Sequence, residues 1–325
     1  MSVCEILKSV CASLGLLAAL TPCVYAQYPA KPIRVIVPIA AGSVTDVVMR
    51  AAGHELSARL GQPLVIDNRT GASGIIGAEA CAKAPPDGYT ICTIYTATTS
   101  VNPYAFDKLP YDPAKDFAPI TRLYYVTGVL VVPASLPVNS VDELRALVTA
   151  KPRTVNFGTV GSGSYPEVFL KWLNHQWQVD LTAIPYKGGG PIVAALLSGE
   201  IQLSATGLGN MIGQLQGGQL RALAVSGEKR SKLFPNVPTM AEAGLGGFAG
   251  NLWWGLAAPA GTSPHVIARL NAEFVRLFGE PRFAEFLRAQ AIEPALTTPE
   301  AFGTFLKADR QWTATLVKAQ PASPR

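Results

Sequence analysis

Small polar turns follow several apolar runs of this sequence, at places where a strand would end and a helix begin. They read "AAGSVTD" at 40–46, "GTVGSGS" at 158–164 and "YKGGG" at 186–190. Turns rich in Gly, Ser and Thr let backbone N–H groups approach a ligand, and helix N-termini favour negative charge. Each turn alone could be an ordinary helix cap. Together they predict a site that holds a carboxylate with amides and hydroxyls.

Side chains beside these turns have two possible roles each. Asp46 lies in the first turn of a predicted helix. A carboxylate there stabilises the helix dipole, but it could also bind a ligand's hydroxyl or ammonium group. Tyr186 and Lys187 directly follow a predicted strand and could point into a cleft. Lys187 could equally be a solvated turn residue.

The residue types needed for catalysis or metal binding are sparse. The three histidines, His54, His175 and His265, fall on predicted helices in different parts of the chain. No Cys/His cluster has metal-ligand spacing, and no G-x-S-x-G motif surrounds the serines of the turns. We therefore expect neither a metal site nor a catalytic site, and a hydrolase is a remote alternative.

Nucleotide and nucleic-acid binding are also disfavoured. The segment "VGSGSYPE" has Gly161 and Gly163 but carries Pro166 where a dinucleotide fingerprint needs a third glycine. P-loop spacing is absent, so we expect no cofactor. The net charge is +5, and no cluster of Lys and Arg marks a nucleic-acid surface.

Alternating apolar runs and amphipathic stretches must position the turns. Strands "IRVIVPI", "PLVIDN" and "YTICTIY" alternate with helical segments, and a similar series begins at "VTGVLVVP". This β-α-β order predicts an α/β fold in which each lobe is a mostly parallel sheet flanked by helices. The segment "AFDKLPYDPAKDFAPIT" is predicted to be an irregular loop.

The order of the elements predicts two lobes. We expect lobe I to comprise residues 27–127 and 251–325, and lobe II residues 128–250. The chain would cross between the lobes twice, and the cleft between them would bind ligand. Trp253 and Trp254 are adjacent on the predicted return strand, so one should lie in the core and the other at the hinge or cleft.

Residues 1–26 have the pattern of an export signal. Lys8 precedes a short apolar stretch, and Val24-Tyr25-Ala26 fits the small-x-small cleavage rule. Pro22 before Cys23 argues against a lipoprotein anchor. Since no later segment is long and apolar enough to cross a membrane, we expect a soluble, periplasmic protein.

For Cys81 and Cys92 we expect two buried thiols rather than a disulfide, although an oxidising compartment permits the bridge.

Motifs along almost the whole mature chain resemble one family. "YPAKPIRVIVPIAAGSVTD", "LPYDPAKDFAPIT", "VNFGTVGSGS", "IPYKGGGP" and "GLAAPAGTSP" occur in the order found in tripartite tricarboxylate transporter substrate-binding proteins. The resemblance implies a two-lobed periplasmic-binding-protein fold of type II-like topology that closes over a carboxylated ligand. It implies no catalytic activity.

The resemblance also implies which residues face the ligand and which partners the protein has. The expected ligand-binding residues are Ala41, Gly42, Ser43, Asp46, Thr96, Thr98, Gly158, Thr159, Ser162, Ser164, Tyr186, Lys187 and Thr206. The ligand would be a small organic acid or an amino acid. The protein would be a monomer that serves membrane transporter subunits or, alternatively, a sensor kinase.

The sequence departs from the family pattern at several of these turns. Ser43 replaces the second glycine of a usual Gly-Gly pair, and Ile39 replaces a usual Phe. Glu167 stands where many members have His, and Thr206 lies where an aspartate is frequent. These changes leave the identity of the ligand open.

Overall fold

The structure is a computed structural model that describes residues 28–151, 153–161, 164–246, 248 and 252–319. Its strands, in chain order, are β1 (Ile33–Val37), β2 (Leu64–Asn68), β3 (Thr90–Tyr95), β4 (Phe117–Val126), β5 (Gly128–Pro133), β6 (Asn156–Thr159), β7 (Thr182–Pro185), β8 (Leu203–Gly207), β9 (Leu220–Val225), β10 (Leu252–Pro259) and β11 (Ile292–Pro294). Its α-helices are α1 (Val44–Leu60), α2 (Ile75–Ala82), α3 (Asn102–Ala105), α4 (Val141–Ala150), α5 (Tyr165–Trp177), α6 (Gly189–Ser198), α7 (Ile212–Gln216), α8 (Pro264–Gly279), α9 (Pro281–Ala289) and α10 (Pro299–Ala319).

The strands form two separate sheets. The first has the order β11-β4-β10-β3-β1-β2, and the second has the order β7-β6-β8-β5-β9. β1 pairs in parallel with β2 and β3, whereas β10 is antiparallel to both of its neighbours. In the second sheet β6 is parallel to β7 and β8, but β5 is antiparallel to β8 and β9. The sheets are therefore mixed rather than mostly parallel, because β5 and β10 enter them in the opposite direction.

The chain passes between the sheets twice, first through the single residue Thr127 and then through the longer segment between β9 and β10. β4 ends in the first sheet at Val126, and β5 begins in the second at Gly128. The chain is back in the first sheet at Leu252, where β10 begins. Thr127, between β4 and β5, donates its N–H to the Ala291 carbonyl at 3.1 Å and accepts the Leu208 N–H at 2.8 Å. The lobe boundaries near residues 128 and 250 stay a prediction.

Each sheet has helices packed on apolar side chains. In the first lobe Leu270, Phe274 and Leu277 of α8 are buried against the sheet. In the second, Phe157 of β6 and Phe169 of α5 lie in one core. Amphipathic helices buried on one face explain this layering.

The predicted loop before the hinge is partly wrong. Residues 117–121 belong to β4, which pairs with β10 on one side and β11 on the other. Pro119 suggested a loop, since proline lacks an N–H and fits a strand only at edges or bulges. It is accommodated because the β4–β10 register shifts beside the Ala257–Pro119 pair.

The prediction of two free thiols is also wrong. Cys81 of α2 and Cys92 of β3 form a disulfide across a sequence separation of 11, with their Cα atoms 6.1 Å apart. Both residues are buried where α2 packs on the first sheet. Sequence could not fix this geometry, because the bridge depends on how the helix lies on the strand.

The predicted export signal lies outside the described residues. Within the described part of the chain, no helix is long and apolar enough to cross a membrane.

Candidate ligand-binding cleft

A cavity of about 660 Å³ lies between the two sheets and is lined by both lobes. The first lobe contributes Pro38, Ile39, Ser43, Val44, Thr45, Thr70, Gly71, Ala72, Ser73, Gly74, Tyr95, Thr96, Ala97, Phe106, Val126, Leu252, Trp253 and Trp254. The second contributes Val160, Gly161, Ser164, Tyr165, Pro166, Tyr186, Lys187, Gly188, Gly189, Thr206, Gly207 and Asn210. The volume is within the range of small-molecule sites in proteins, roughly 300–1,000 Å³.

Three helices begin at this cavity. Their caps are Ser43 for α1, Ser164 for α5 and Gly188 for α6, and all three caps line the cavity. Helix N-termini carry unpaired N–H groups and a partial positive charge. Because they come from both lobes, they make the cleft favourable for an anion, as the turns predicted.

Asp46 holds the first turn together from within the protein. Its carboxylate accepts the Gly42 N–H at 2.9 Å, the Arg50 Nε–H at 3.0 Å and the Asn68 side-chain amide at 2.9 Å. Burial by itself raises the pKa of Asp46, but the bonds from Arg50, Gly42 and Asn68 outweigh it and hold the pKa below its usual range. Both carboxylate oxygens are therefore occupied by protein groups.

A second loop of the first lobe reaches the cavity and was missed by the sequence analysis. Residues 70–74 line the cleft, although they fall in the helical segment expected between the predicted strands "PLVIDN" and "YTICTIY". Ala72 and Ser73 have φ values of 45° and 54°, so the chain is not yet in a regular helix there. The Tyr95 hydroxyl donates to the Ser73 carbonyl at 3.1 Å and fixes the loop. Two closely spaced glycines, Gly71 and Gly74, were the signal that could have revealed it.

Two buried hydroxyls at the start of α5 have no hydrogen-bond partner among the described residues. Ser164 is 1% exposed and Tyr165 9% exposed, and both side-chain oxygens are unpaired. Ser164 is a helix cap whose side chain makes no capping bond. Burial raises the pKa of Tyr165, so its hydroxyl stays protonated and can donate at neutral pH. Buried polar groups in native proteins almost always have a partner, so water or a ligand is expected to supply one here.

The two lobes approach closely across the cleft. A Cβ placed on Gly161 of the second lobe would lie 3.4 Å from the Ser73 hydroxyl of the first. A Cβ placed on Gly188 would lie 3.5 Å from the Ala40 Cβ. Larger side chains at either glycine would hold the lobes apart, so glycine permits this closed arrangement.

Aromatic side chains form one wall of the cleft. The rings of Tyr95 and Trp254 stack with centroids 4.4 Å apart and planes 20° from parallel. Trp253 packs edge-on against Phe302 at 5.7 Å. Both tryptophans are buried and both line the cavity. The sequence predicted that one would lie in the core and the other at the hinge or cleft, whereas each does both.

Charged side chains are rare around the cavity. Lys187 is exposed and supplies the only charge among the described lining residues. The neighbouring Tyr186 hydroxyl is 2.7 Å from the Glu200 carboxylate, to which it donates, and so is turned to a protein partner.

The structure places the predicted site residues in three groups. Those that line the cavity are Ser43, Thr96, Ser164, Tyr186, Lys187 and Thr206. Those that support it without lining it are Ala41, Gly42, Asp46, Thr98, Gly158 and Thr159. Ser162 lies outside the described residues.

The supporting residues have identifiable roles. Thr98 bonds to the Tyr95 backbone at 2.9 Å, and Thr159 accepts the Gly161 N–H at 3.3 Å. Gly158 lies within β6, where an added Cβ would be 2.4 Å from an Ile201 methyl carbon. These residues stabilise the turns without lining the cavity. Their spacing in the sequence does not distinguish this supporting role from contact with a ligand.

Comparison with known protein families and curated proteins finds matches over most of the chain. A family model described as the tripartite tricarboxylate transporter family receptor matches residues 48–320. Protein BugT of Bordetella pertussis is 35% identical, over 90% of this chain and 90% of that protein.

Solved structures with bound acids are similar as well. Rpa4515 of R. palustris with adipate has a TM-score of 0.86 and 32% identity, covering 91% of this chain and 100% of that one. MatC of Rhodopseudomonas palustris with bound malate has a TM-score of 0.83 and 30% identity, covering 89% and 100%. The predicted two-lobed α/β fold and the predicted family are both confirmed.

Proposed function

Because the chain belongs to the tripartite tricarboxylate transporter receptor family, we propose that it captures a small carboxylate in the cleft between its lobes and delivers it to membrane transporter subunits. It does so as a periplasmic monomer. The carboxylate is held by N–H groups and hydroxyls at the starts of α1 and α5, and the lobes close over it.

The unpaired hydroxyls of Ser164 and Tyr165 carry this proposal. Both residues line the cavity, and neither hydroxyl has a hydrogen-bond partner among the described residues. A buried hydroxyl without a partner costs about 1–3 kcal/mol. A carboxylate accepts two or more hydrogen bonds and would satisfy both groups, whereas an apolar ligand would satisfy neither.

Two further features support an anion rather than a neutral solute. The cleft receives helix N-termini from both lobes, and Lys187 lies at its edge. The similar structures described above contain adipate and malate, both of which are carboxylates.

A thermal-shift screen tests the proposal. Protein beginning at Gln27 would be melted with adipate, malate, succinate and 3-phenylpropanoate, and with the matching neutral amides as controls. A ligand that binds the folded state raises Tm as its concentration rises above Kd. We expect at least one acid to raise Tm and its amide to have no effect. No shift with any acid, or equal shifts with the amides, would contradict the proposal.

A further inference from the structure

We propose that the cleft selects carboxylates whose body is apolar and uncharged, and that it rejects amino acids. This inference rests on the proposed function, because it concerns the rest of the ligand once its carboxylate is held at the turns.

The described lining of the cleft has no carboxylate to pair with an ammonium group. None of its described lining residues is an Asp or a Glu. The undescribed residues between 152 and 251 are Pro, Ser, Gly, Ala and Asn, so they carry no acid either. A buried ammonium without a carboxylate partner is costly, and the positive Lys187 at the edge adds repulsion.

Carboxylates close in sequence to lining residues are bound within the protein, among them Glu167, which lies 3.5 Å from the Lys171 ammonium. Asp46 is occupied by Gly42, Asn68 and Arg50, and it does not line the cavity. Glu200 accepts the Tyr186 hydroxyl. Neither Asp46 nor Glu200 can bind a ligand without breaking its hydrogen bonds within the protein.

The walls of the cleft favour an apolar body. Ile39, Phe106 and Val160 line it together with the stacked pair Tyr95 and Trp254. Apolar surface removed from water on binding contributes about 25 cal/mol per Å². A ligand hydroxyl placed against these apolar side chains would lose its hydration without gaining a partner from them.

The size of the cavity also favours a ligand with an apolar body. At about 660 Å³ it has room for an acid with a ring or a medium-length chain. An acid of three or four carbons would leave much of this volume to water beside apolar walls, whereas an aryl or alkyl group would fill it.

A matched pair of ligands tests the selection. 3-Phenylpropanoate and free phenylalanine share a carboxylate and a ring, and they differ in one α-ammonium group. We expect calorimetry to show that 3-phenylpropanoate binds on the order of 100-fold more tightly, since the ammonium group of phenylalanine would be buried without an ionic partner. Equal affinities would overturn the inference, as would tighter binding of malate than of 3-phenylpropanoate.

A gain-of-function variant gives a second test. Thr206 is 8% exposed and lines the cavity. Thr206→Asp would place a carboxylate there, and Thr206→Asn is a neutral control of matched size. We expect Thr206→Asp to shift the affinity ratio at least about tenfold toward free phenylalanine, while Thr206→Asn keeps the wild-type ratio. An unchanged ratio in a folded Thr206→Asp protein would count against the inference.

The two proposals fail in different ways. If adipate, malate, succinate and 3-phenylpropanoate all fail to bind, carboxylate capture itself is wrong. If carboxylates bind but free phenylalanine binds as well as 3-phenylpropanoate, only the selection is wrong.

Discussion

The Asp46 carboxylate accepts the Gly42 N–H at 2.9 Å, and this bond closes the turn before α1. Asn68 and Arg50 donate to the same carboxylate, which is buried. The amide of Gly42 is thus occupied by the protein and is not available to a ligand. The turn still serves the cleft, because it sets the positions of Ser43 and Val44 at the cavity.

Replacing Asp46 should loosen this turn. We expect Asp46→Asn to lower the free energy of unfolding by about 2 kcal/mol, since hydrogen bonds to a charged group are lost. Denaturant unfolding measures the difference. Asp142→Asn, at an exposed position in the first turn of α4, is a matched control that should change stability by less than about 0.5 kcal/mol. Equal losses in the two variants would contradict the assigned role.

The pH dependence of stability gives an independent check on Asp46. Its pKa is lowered in the folded state, so its contribution is present above the unfolded-state value of about 3.9 and is lost as pH falls below that value. We expect the stability gap between wild type and Asp46→Asn to shrink as the pH is lowered through about 4. A gap that stayed constant would show that the carboxylate charge does not matter.

Gly42 should be required because of its backbone conformation, and not because a larger side chain would clash with its neighbours. Its φ is +78°, and a Cβ at this position would meet nothing within 4 Å. Gly42→Ala should therefore lower the free energy of unfolding by about 1–2 kcal/mol through backbone strain alone. Gly42→Asn should lower it by less. Gly190→Ala is the control, because a Cβ there also meets open space but φ is ordinary. Thermal melting of the variants measures the effect, and a fully stable Gly42→Ala protein would refute it.

Two cap serines should respond oppositely to the same substitution. The Ser140 hydroxyl accepts the Glu143 N–H at 3.1 Å, whereas the Ser164 hydroxyl has no partner. We expect Ser140→Ala to cost about 1 kcal/mol of stability. Ser164→Ala should leave the ligand-free protein unchanged or slightly more stable, because an unpaired buried hydroxyl is removed. If unfolding experiments showed the same loss at both positions, the Ser164 hydroxyl would have a structural partner.

The disulfide between Cys81 and Cys92 should stabilise the first lobe. It joins α2 to β3, and the loop of residues 70–74 that lines the cleft precedes α2. Closing a loop of this length contributes up to about 3 kcal/mol. We expect reduction to lower Tm, and we expect alkylation of the unfolded protein that begins at Gln27 to find no free thiol. Two alkylated cysteines before reduction would contradict the bridge.

Local signals in the sequence account for much of the fold. Gly61 ends α1 in a left-handed conformation, as a glycine after a helix predicts, and Ser140 caps α4 with Glu143 as the capping-box pattern predicts. The turns at Ser43, Ser164 and Lys187 do lie at the cleft. These features depend on residues close together in the chain, which is why they could be read from it.

The features that the sequence did not reveal depend on distant partners. β4 is a strand despite Pro119 because β10 pairs with it from Phe117 to Val126. The loop at Ala72 and Ser73 is held by Tyr95, some twenty residues further along. That the Ser164 and Tyr165 hydroxyls lack partners among the described residues is visible only in the folded structure.

The central claim is that the Ser164 and Tyr165 hydroxyls bind the carboxylate of the ligand. The most direct measurement is calorimetric titration of wild type and of the double variant Ser164→Ala, Tyr165→Phe with 3-phenylpropanoate and, in parallel, with the acid that raises Tm most. Two lost hydrogen bonds to a charged group should weaken binding on the order of 100-fold while the variant stays folded. An unchanged Kd in the folded double variant would contradict the account.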